Sequence, residues 1–170
     1  ILGDMVEFSA NYSSGHVRIM TRAYAENKHQ VPNDLALIEV SQLMANLKED
    51  YPDMEFVERI SFGGLLDSPD EIGETKKQGI VAGIAADLLS EDSREIERLN
   101  LEGSLRQGRF PEHSNEVLLS DDFAGKLEVG PGDQVTLISS TMYGGMSIQN
   151  FIVAGTIEFG VQMMDRSGMI

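Results

Sequence analysis

The chain has 170 residues, which is enough for one domain or for two small subdomains that share a surface. Its formal net charge of −15 argues against binding to nucleic acid or to anionic lipid headgroups, since both need clustered lysine and arginine. With no cysteine, the chain forms no disulfide, thiolate metal site or thiol nucleophile. The charge serves solubility or, as the alternative, forms an acidic face for a basic partner.

Apolar residues make up 41% of the chain, which predicts an ordered core rather than disorder. No run of 18 consecutive apolar residues is present, so the sequence predicts no membrane span within it. The chain begins at Ile1 rather than at Met, and we expect it to be a fragment excised from a longer protein.

The first part of the chain predicts a strand and then a helix. Residues 15–21 alternate between polar and apolar side chains, which is typical of a strand. After a polar loop, residues 33–51 predict a helix that Pro52 ends. Its apolar stripe consists of residues at helical spacing: Leu37, Ile38, Val40, Leu43, Met44, Leu47 and Tyr51.

Two further strands are predicted over Met54–Leu66 and Gln78–Ile84, with a charged turn, Asp67–Lys77, between them. Residues 88–105 carry helix-like charges but a thin apolar stripe, so we expect short helical turns on the surface. Strand, helix, strand, turn and strand in this order predict an α+β sandwich with the helix on one face of a sheet.

Residues 108–137 and the segment after them have the most specific pattern in the chain. The predicted elements are a strand Glu116–Leu119, a helix Asp121–Leu127 with Ser120 as N-cap, a tight turn Gly130–Asp133, a strand Gln134–Ser139, a hairpin at Gly144–Gly145 and a strand Ile148–Glu158. The helix is predicted because a serine cap is followed by two aspartates in the first turn, where the helix dipole favours negative charge.

Candidate metal ligands are present but form no recognised motif. The histidines His16, His29 and His113 are too widely spaced for a short zinc motif, so only the fold could bring them together. The carboxylates of the charged turn, Asp67, Asp70, Glu71 and Glu74, suit calcium chemically. They lack the Asp-x-Asp-x-Asp-Gly order, however, and a solvated turn explains them better. The sequence therefore predicts no metal site.

The sequence also predicts no catalytic residue and no cofactor. Ser147 lacks the second glycine of a Gly-x-Ser-x-Gly elbow, and no Gly-x-x-x-x-Gly-Lys-Ser/Thr loop is present for ATP. A helix N-terminus explains Asp121 and Asp122 better than an acid–base pair does. Gly130–Asp133 is a turn or, as the alternative, an anion-binding nest that neighbouring carboxylates would oppose by repulsion.

Partner binding is predicted at the glycine-rich hairpin, because binding concentrates on exposed loops. The predicted residues are Met142, Tyr143, Gly144, Gly145, Met146 and Ser147. Five methionines crowd the last third of the chain: Met142, Met146, Met163, Met164 and Met169. They fill a core or, as the alternative, form a flexible surface that repacks against different partners.

Eight segments of the chain form an ordered set: Gly15–Ile19, Phe56–Leu66, Ile80–Ile84, Leu101–Arg109, Glu116–Ser120, Phe123–Leu127, Val129–Val135 and Phe151–Gly155. In this order they resemble the extracytoplasmic domain of ABC transporter permeases of the MacB–FtsX type, a group that includes the lipoprotein-releasing permeases. The resemblance covers residues 15–160.

The resemblance implies an α+β fold in two parts. A porter-like α/β sandwich lobe over residues 1–107 would be completed by residues 159–170 and by residues beyond the chain. A small β-rich lobe over residues 108–158 would be inserted into it.

The resemblance also implies a non-catalytic domain on the periplasmic side of the bacterial inner membrane. In such a transporter, a separate cytoplasmic ATP-binding subunit drives a dimeric full-length permease. Flanking membrane spans, absent from this chain, carry the motion to the domain, which grips a periplasmic protein or lipoprotein. Two alternatives stay open: a soluble adaptor domain unrelated to transport, and a small β-barrel enzyme with a perturbed carboxylate or histidine in a pocket.

Overall fold

A closed β-barrel of six strands forms the centre of the fold, and a seventh strand lies outside it. The computed structural model describes residues 17–70 and 72–170. The strands in this part of the chain are β1 Ile60–Pro69, β2 Thr75–Ala85, β3 Leu105–Gly108, β4 Glu116–Ser120, β5 Gln134–Ser140, β6 Met146–Ile157 and β7 Gly168–Met169.

Around the barrel, the strands follow the order β6, β4, β7, β2, β1 and β5, and β5 pairs with β6 to close the ring. The pairs β4–β6 and β2–β7 are parallel, whereas the other pairs of the ring are antiparallel. The first part of β6 pairs with β5, and its last part pairs with β3. A single long strand therefore both closes the ring and holds the outer strand.

The helices in the described residues are short: α1 Arg22–Asn27, α2 Ser41–Asp50, α3 Glu95–Arg98, α4 Leu101–Ser104, α5 Asp121–Leu127 and α6 Gln162–Ser167. Two 3₁₀ turns, Lys28–Gln30 and Asn33–Leu35, lie between α1 and α2.

The predicted α/β sandwich lobe is wrong, because β1 and β2 belong to the barrel. They form an antiparallel hairpin whose outer edges pair with β5 and β7, so the hairpin is one section of a ring. In a sandwich, α2 would bury its apolar stripe on a sheet. None of its ten residues is buried. The predicted division into residues 1–107 and 108–158 stays a prediction, and strands from both sides of residue 107 pair in the barrel.

Two apolar clusters stabilise this arrangement. The first fills the barrel with residues from the strands and from α5: Leu66, Val81, Val117, Leu119, Phe123, Ala124, Leu127, Val135, Val153 and Met169. The Ser68 hydroxyl donates to the Leu127 carbonyl at 3.0 Å, which fixes the end of α5 to β1. The second cluster joins the short helical turns to β4 and to the end of β6, through Leu99, Leu101, Leu118, Ile157, Phe159 and Ile170.

The predictions for the segment before the barrel were partly wrong. Residues 15 and 16 of the predicted first strand lie outside the described residues, and residues 17–21 form no strand. Thr21 instead caps α1, because its hydroxyl accepts from the Tyr24 N–H at 3.0 Å. The predicted helix 33–51 is confirmed only over Ser41–Asp50. The strand predicted over Met54–Leu66 begins at Ile60 and continues to Pro69.

Most predictions after residue 88 agree with the structure, but the helical turns within 88–105 are not confined to the surface, since Leu99 and Leu101 are fully buried. Short helical turns occupy part of 88–105, and α5 has the predicted bounds, with the Ser120 hydroxyl accepting from the Phe123 N–H at 3.2 Å. Asp121 makes a second connection, since its Oδ1 accepts from the Thr156 hydroxyl at 2.6 Å. The helix that the sequence predicted from a cap is thus also tied to β6.

Gly155 tests how closely the backbone after β3 approaches β6, and Gly125 provides the control. A Cβ on Gly155 would lie 2.6 Å from the Arg109 carbonyl oxygen and 2.7 Å from that of Gln107. We expect Gly155→Ala to lower the free energy of unfolding by roughly 1–3 kcal/mol, because backbone atoms must move apart. Gly125→Ala is the control. It lies in α5 with nothing within 4 Å of the new Cβ, and alanine there should stabilise by about 0.5–1 kcal/mol. Denaturant unfolding measures both, and equal effects would contradict the close approach.

Candidate functional site

The six predicted partner-binding residues lie together in the hairpin between β5 and β6. Thr141 organises its turn. The N–H of Thr141 donates to the Gly145 carbonyl at 2.6 Å, and its hydroxyl accepts from the Gly145 N–H at 3.0 Å. Gly144 has a φ of 79°, a left-handed conformation that glycine adopts without strain. The hairpin is therefore an ordered turn.

Large apolar side chains project from this hairpin into solvent. Tyr143 is 84% exposed and Met146 is 77% exposed. Ser147 is half-buried and pairs with Ser139 on β5. The structure thus places the predicted residues in one hairpin, where Met142 and Ser147 are only partly exposed, and their role in binding a partner stays a prediction.

A row of aliphatic residues crosses the outside of the barrel beside the hairpin. The residues are in register across four strands: Ile80 on β2, Leu65 on β1, Ile138 on β5 and Ile148 on β6. Ile80 is 79% exposed and Ile148 is 61% exposed. Leu66, which follows Leu65 on β1, is instead fully buried inside the barrel. Residues in register share a face of a sheet, so this row is a surface feature. The row cannot be predicted from the sequence, because alternation within a strand gives no register between strands.

A polar row runs parallel to the aliphatic row on the same face, displaced from it by two residues on each strand. Asp67 on β1 is in register with Gln78 on β2 and with Thr136 on β5, and Thr136 is in register with Asn150 on β6. The Thr136 hydroxyl donates to Asn150 Oδ1 at 2.9 Å. Asp67 is only 9% exposed, and its Oδ1 has no hydrogen-bond partner within the described residues. Buried carboxylate oxygens normally have partners, so this atom is an exception.

The histidines and the carboxylates of the charged turn were the alternative ligands considered for zinc and for calcium. His29 and His113 are exposed, and His16 and Glu71 lie outside the described residues. Asp70 Oδ1 accepts from the N–H groups of Ile72 at 3.0 Å and of Glu74 at 2.9 Å, so the carboxylate caps the turn. No group of three or more possible acidic or histidine ligands is found in residues 17–70 and 72–170.

The Gly130–Asp133 segment is a self-capped turn. Asp133 Oδ2 accepts from the Gly130 N–H at 2.8 Å, and the Asp133 N–H donates to the Gly130 carbonyl at 3.1 Å. The carboxylate therefore already takes the backbone donor that a nest would offer to an anion.

A cavity of about 250 Å³ opens beside the barrel core and is lined mainly by apolar residues, among them Phe62, Val117, Phe151 and Met169. Glu116 also lines it, and its carboxylate accepts from the Arg109 guanidinium at 2.6 and 2.9 Å. The Arg109 hydrogen bonds, helped by the N–H of Glu112, lower the pKa of Glu116 to about 2.

Asp87 lines the same cavity, and its hydrogen bonds with Ser90 lower the pKa of its carboxyl group. Its Oδ1 also accepts from the N–H groups of Leu89 at 3.2 Å and of Ser90 at 3.0 Å. Both carboxylates at the cavity are thus held in their charged form by hydrogen bonds.

A network of charged residues joins α3 to the segment before β1. Glu95 is 2% exposed, and Arg59 donates to it through Nε at 2.6 Å and through Nη2 at 3.2 Å. Arg98 contacts both Glu95 and Glu55. Because the buried carboxylate has two guanidinium partners, the network satisfies a charge that would otherwise be costly to bury.

None of the described helices combines the length and the hydropathy that crossing a bilayer requires. No protein-family model matches the chain, and no curated protein matches it at a significant level. Any statement about function therefore rests on the residues themselves and on the sequence resemblance.

Removing the buried carboxylate tests the charged network. We expect Glu95→Ala to lower the free energy of unfolding by roughly 3 kcal/mol, because it leaves Arg59 and Arg98 without their shared partner. Glu97→Ala is the control, since Glu97 is exposed and pairs with Arg94 at the surface. Denaturant unfolding compares the two variants. A Glu95→Ala effect as small as that of Glu97→Ala would contradict a stabilising network.

The Arg109–Glu116 pair predicts a pH dependence of stability. The pKa of Glu116 falls from 4.5 to about 2 in the folded chain, so its contribution is complete above about pH 4.5. It is lost as the pH falls toward about 2, because the carboxylate takes up a proton. The melting temperature of the chain should exceed that of Glu116→Gln at neutral pH, and the difference should shrink across this window. Glu112→Gln removes a carboxylate 3.8 Å from Arg109 Nε and serves as the control. A difference that does not change with pH would refute the assignment.

Proposed function

We propose that this chain is a non-catalytic extracytoplasmic domain of a bacterial ABC transporter permease of the MacB–FtsX type. The observation that carries the proposal is the ordered set of resembling segments across residues 15–160. In this proposal, the domain binds a periplasmic protein or lipoprotein. It relays motion that a separate cytoplasmic ATP-binding subunit drives through membrane spans flanking the chain.

The hairpin between β5 and β6 supports partner binding at Met142–Ser147. It presents Tyr143 and Met146 to solvent on a turn that Thr141 holds in place. An exposed aromatic side chain on an ordered turn loses little conformational entropy when it is buried by a partner. The flexible thioether of Met146 adapts to surfaces of different shape.

The absence of cysteine from the chain gives a direct test of location. In the full-length natural protein, Tyr143→Cys introduces one thiol at the exposed hairpin. We expect a membrane-impermeant maleimide to label this thiol in intact cells whose outer membrane has been permeabilised. The labelled protein should also fractionate with membranes. The protein without the substitution is the control. Labelling only after lysis, with the protein in the soluble fraction, would favour the adaptor or enzyme alternatives and refute the proposal.

Binding at the hairpin is tested separately with a photo-cross-linking amino acid. Placed at position 143 or 146 of the full-length protein, it should give one discrete cross-linked product with a periplasmic protein. Placed at position 72, where Ile72 is 79% exposed on another turn, it should give none. Equal products from all three positions, or none from any, would refute binding by the hairpin without bearing on location.

A further inference from the structure

We propose that the outer surface of β2, β1, β5 and β6 is a docking site for an amphipathic helix of another protein. We call this surface the four-strand face, and its aliphatic and polar rows are those described above. The helix would place an apolar stripe on the aliphatic row and a lysine or arginine against Asp67. This proposal does not depend on the proposed role in transport.

The aliphatic row supplies the apolar part of the site. Ile80 and Ile148 at its ends are largely exposed, and Leu65 and Ile138 between them are partly exposed. Four strands at about 4.8 Å spacing give a row about 14 Å long. A helix of about ten residues covers that length and presents apolar side chains every turn of about 5.4 Å.

The polar row identifies the charge of the partner. Asp67 is more than nine-tenths buried, yet its Oδ1 has no hydrogen-bond partner among the described residues. Its register neighbours, Gln78 and Thr136, are neutral. A carboxylate in this position gains most from a cationic donor, since charge-assisted hydrogen bonds are the strong ones. A basic side chain on the partner therefore fits the site better than a neutral or acidic one.

The pairing of the strands excludes a partner that adds a strand to the sheet, and we therefore infer a helix. β1 is paired on both sides, by β2 and β5, and β5 is paired on both sides, by β1 and β6. At the level of Leu65 and Ile138, no backbone edge is free for an added strand. Recognition must therefore use side chains that stand on the face, and a helix laid across the strands contacts both rows at once.

Binding of a defined peptide tests the proposal. The probe is a synthetic helical peptide of about 18 residues with leucine at positions i, i+3, i+4 and i+7 and lysine along one flank of that stripe. A matched peptide carries glutamate in place of lysine. Isothermal titration and backbone amide NMR shifts are measured on the intact chain. We expect the lysine peptide to bind, with shifts centred on Leu65, Ile80, Ile138 and Ile148, and the glutamate peptide to bind at least about tenfold more weakly.

Matched substitutions separate this site from general attraction to an acidic chain. We expect Asp67→Asn to weaken the lysine peptide about tenfold, and the exposed control Asp92→Asn to change it less than about twofold. Ile80→Ser should also weaken it about tenfold, whereas Ile72→Ser should not, although both isoleucines are 79% exposed. Thermal unfolding shows that each variant is folded. If Asp67→Asn fails to fold, the isoleucine pair decides.

Several results would overturn the proposal. Equal weakening by Asp67→Asn and Asp92→Asn would indicate a response to net charge alone. Shifts centred on the β5–β6 hairpin would place the peptide elsewhere. A sedimentation coefficient of a dimer, lost on Ile80→Ser, would show that a second copy of the chain covers the face.

Discussion

The barrel depends on the way β6 divides its hydrogen bonds among three strands. It pairs with β4 on one side, and on the other side it pairs first with β5 and then with β3. Closure at β5–β6 removes the free edges that a flat sheet would leave. The outer strand β3 continues the ladder where β5 ends, and the small residues at that point, Gly155 and Gly108, let the two backbones come close. The aliphatic and polar rows exist only because this closure sets the register of four adjacent strands.

The carboxylates of this acidic chain differ in how they are paired. Many carboxylates are engaged locally, as Glu95 is with Arg59 and Arg98, and as Glu128 is with Lys76 and Lys77. These pairs hold helical turns and loops against the strands. Asp67 differs because its buried oxygen has no such partner among the described residues. Ion pairs thus account for the carboxylates that hold the fold together, and they leave the buried Oδ1 of Asp67 without a partner among the described residues.

Local elements could be predicted from the sequence, whereas their assembly could not. The cap at Ser120 and the turn at Gly130–Asp133 depend on residues a few positions apart, so α5 and its neighbours were predicted closely. The α/β sandwich was wrong because the apolar stripe before Pro52 was assumed to cover the following strands. Those strands instead pair with residues near positions 136 and 168, and no local pattern contains that information. The hairpin was predicted as a candidate site from its glycines, but the adjacent rows required the register between strands.

The parallel pairing of β7 with β2 has a consequence for synthesis on the ribosome. Gly168 and Met169 lie beside Ala82 and Gly83, and Met169 also pairs with Leu119, so the last link of the ring is made by residues near position 169. During translation, the hairpin of β1 and β2 leaves the ribosome long before this link. The nascent ring therefore stays open until almost the whole of this segment has been made. Until the ring closes, the apolar interior of the barrel, which includes Val117 and Val153, would be exposed to solvent. We therefore expect chaperones to matter most between the synthesis of β2 and that of β7.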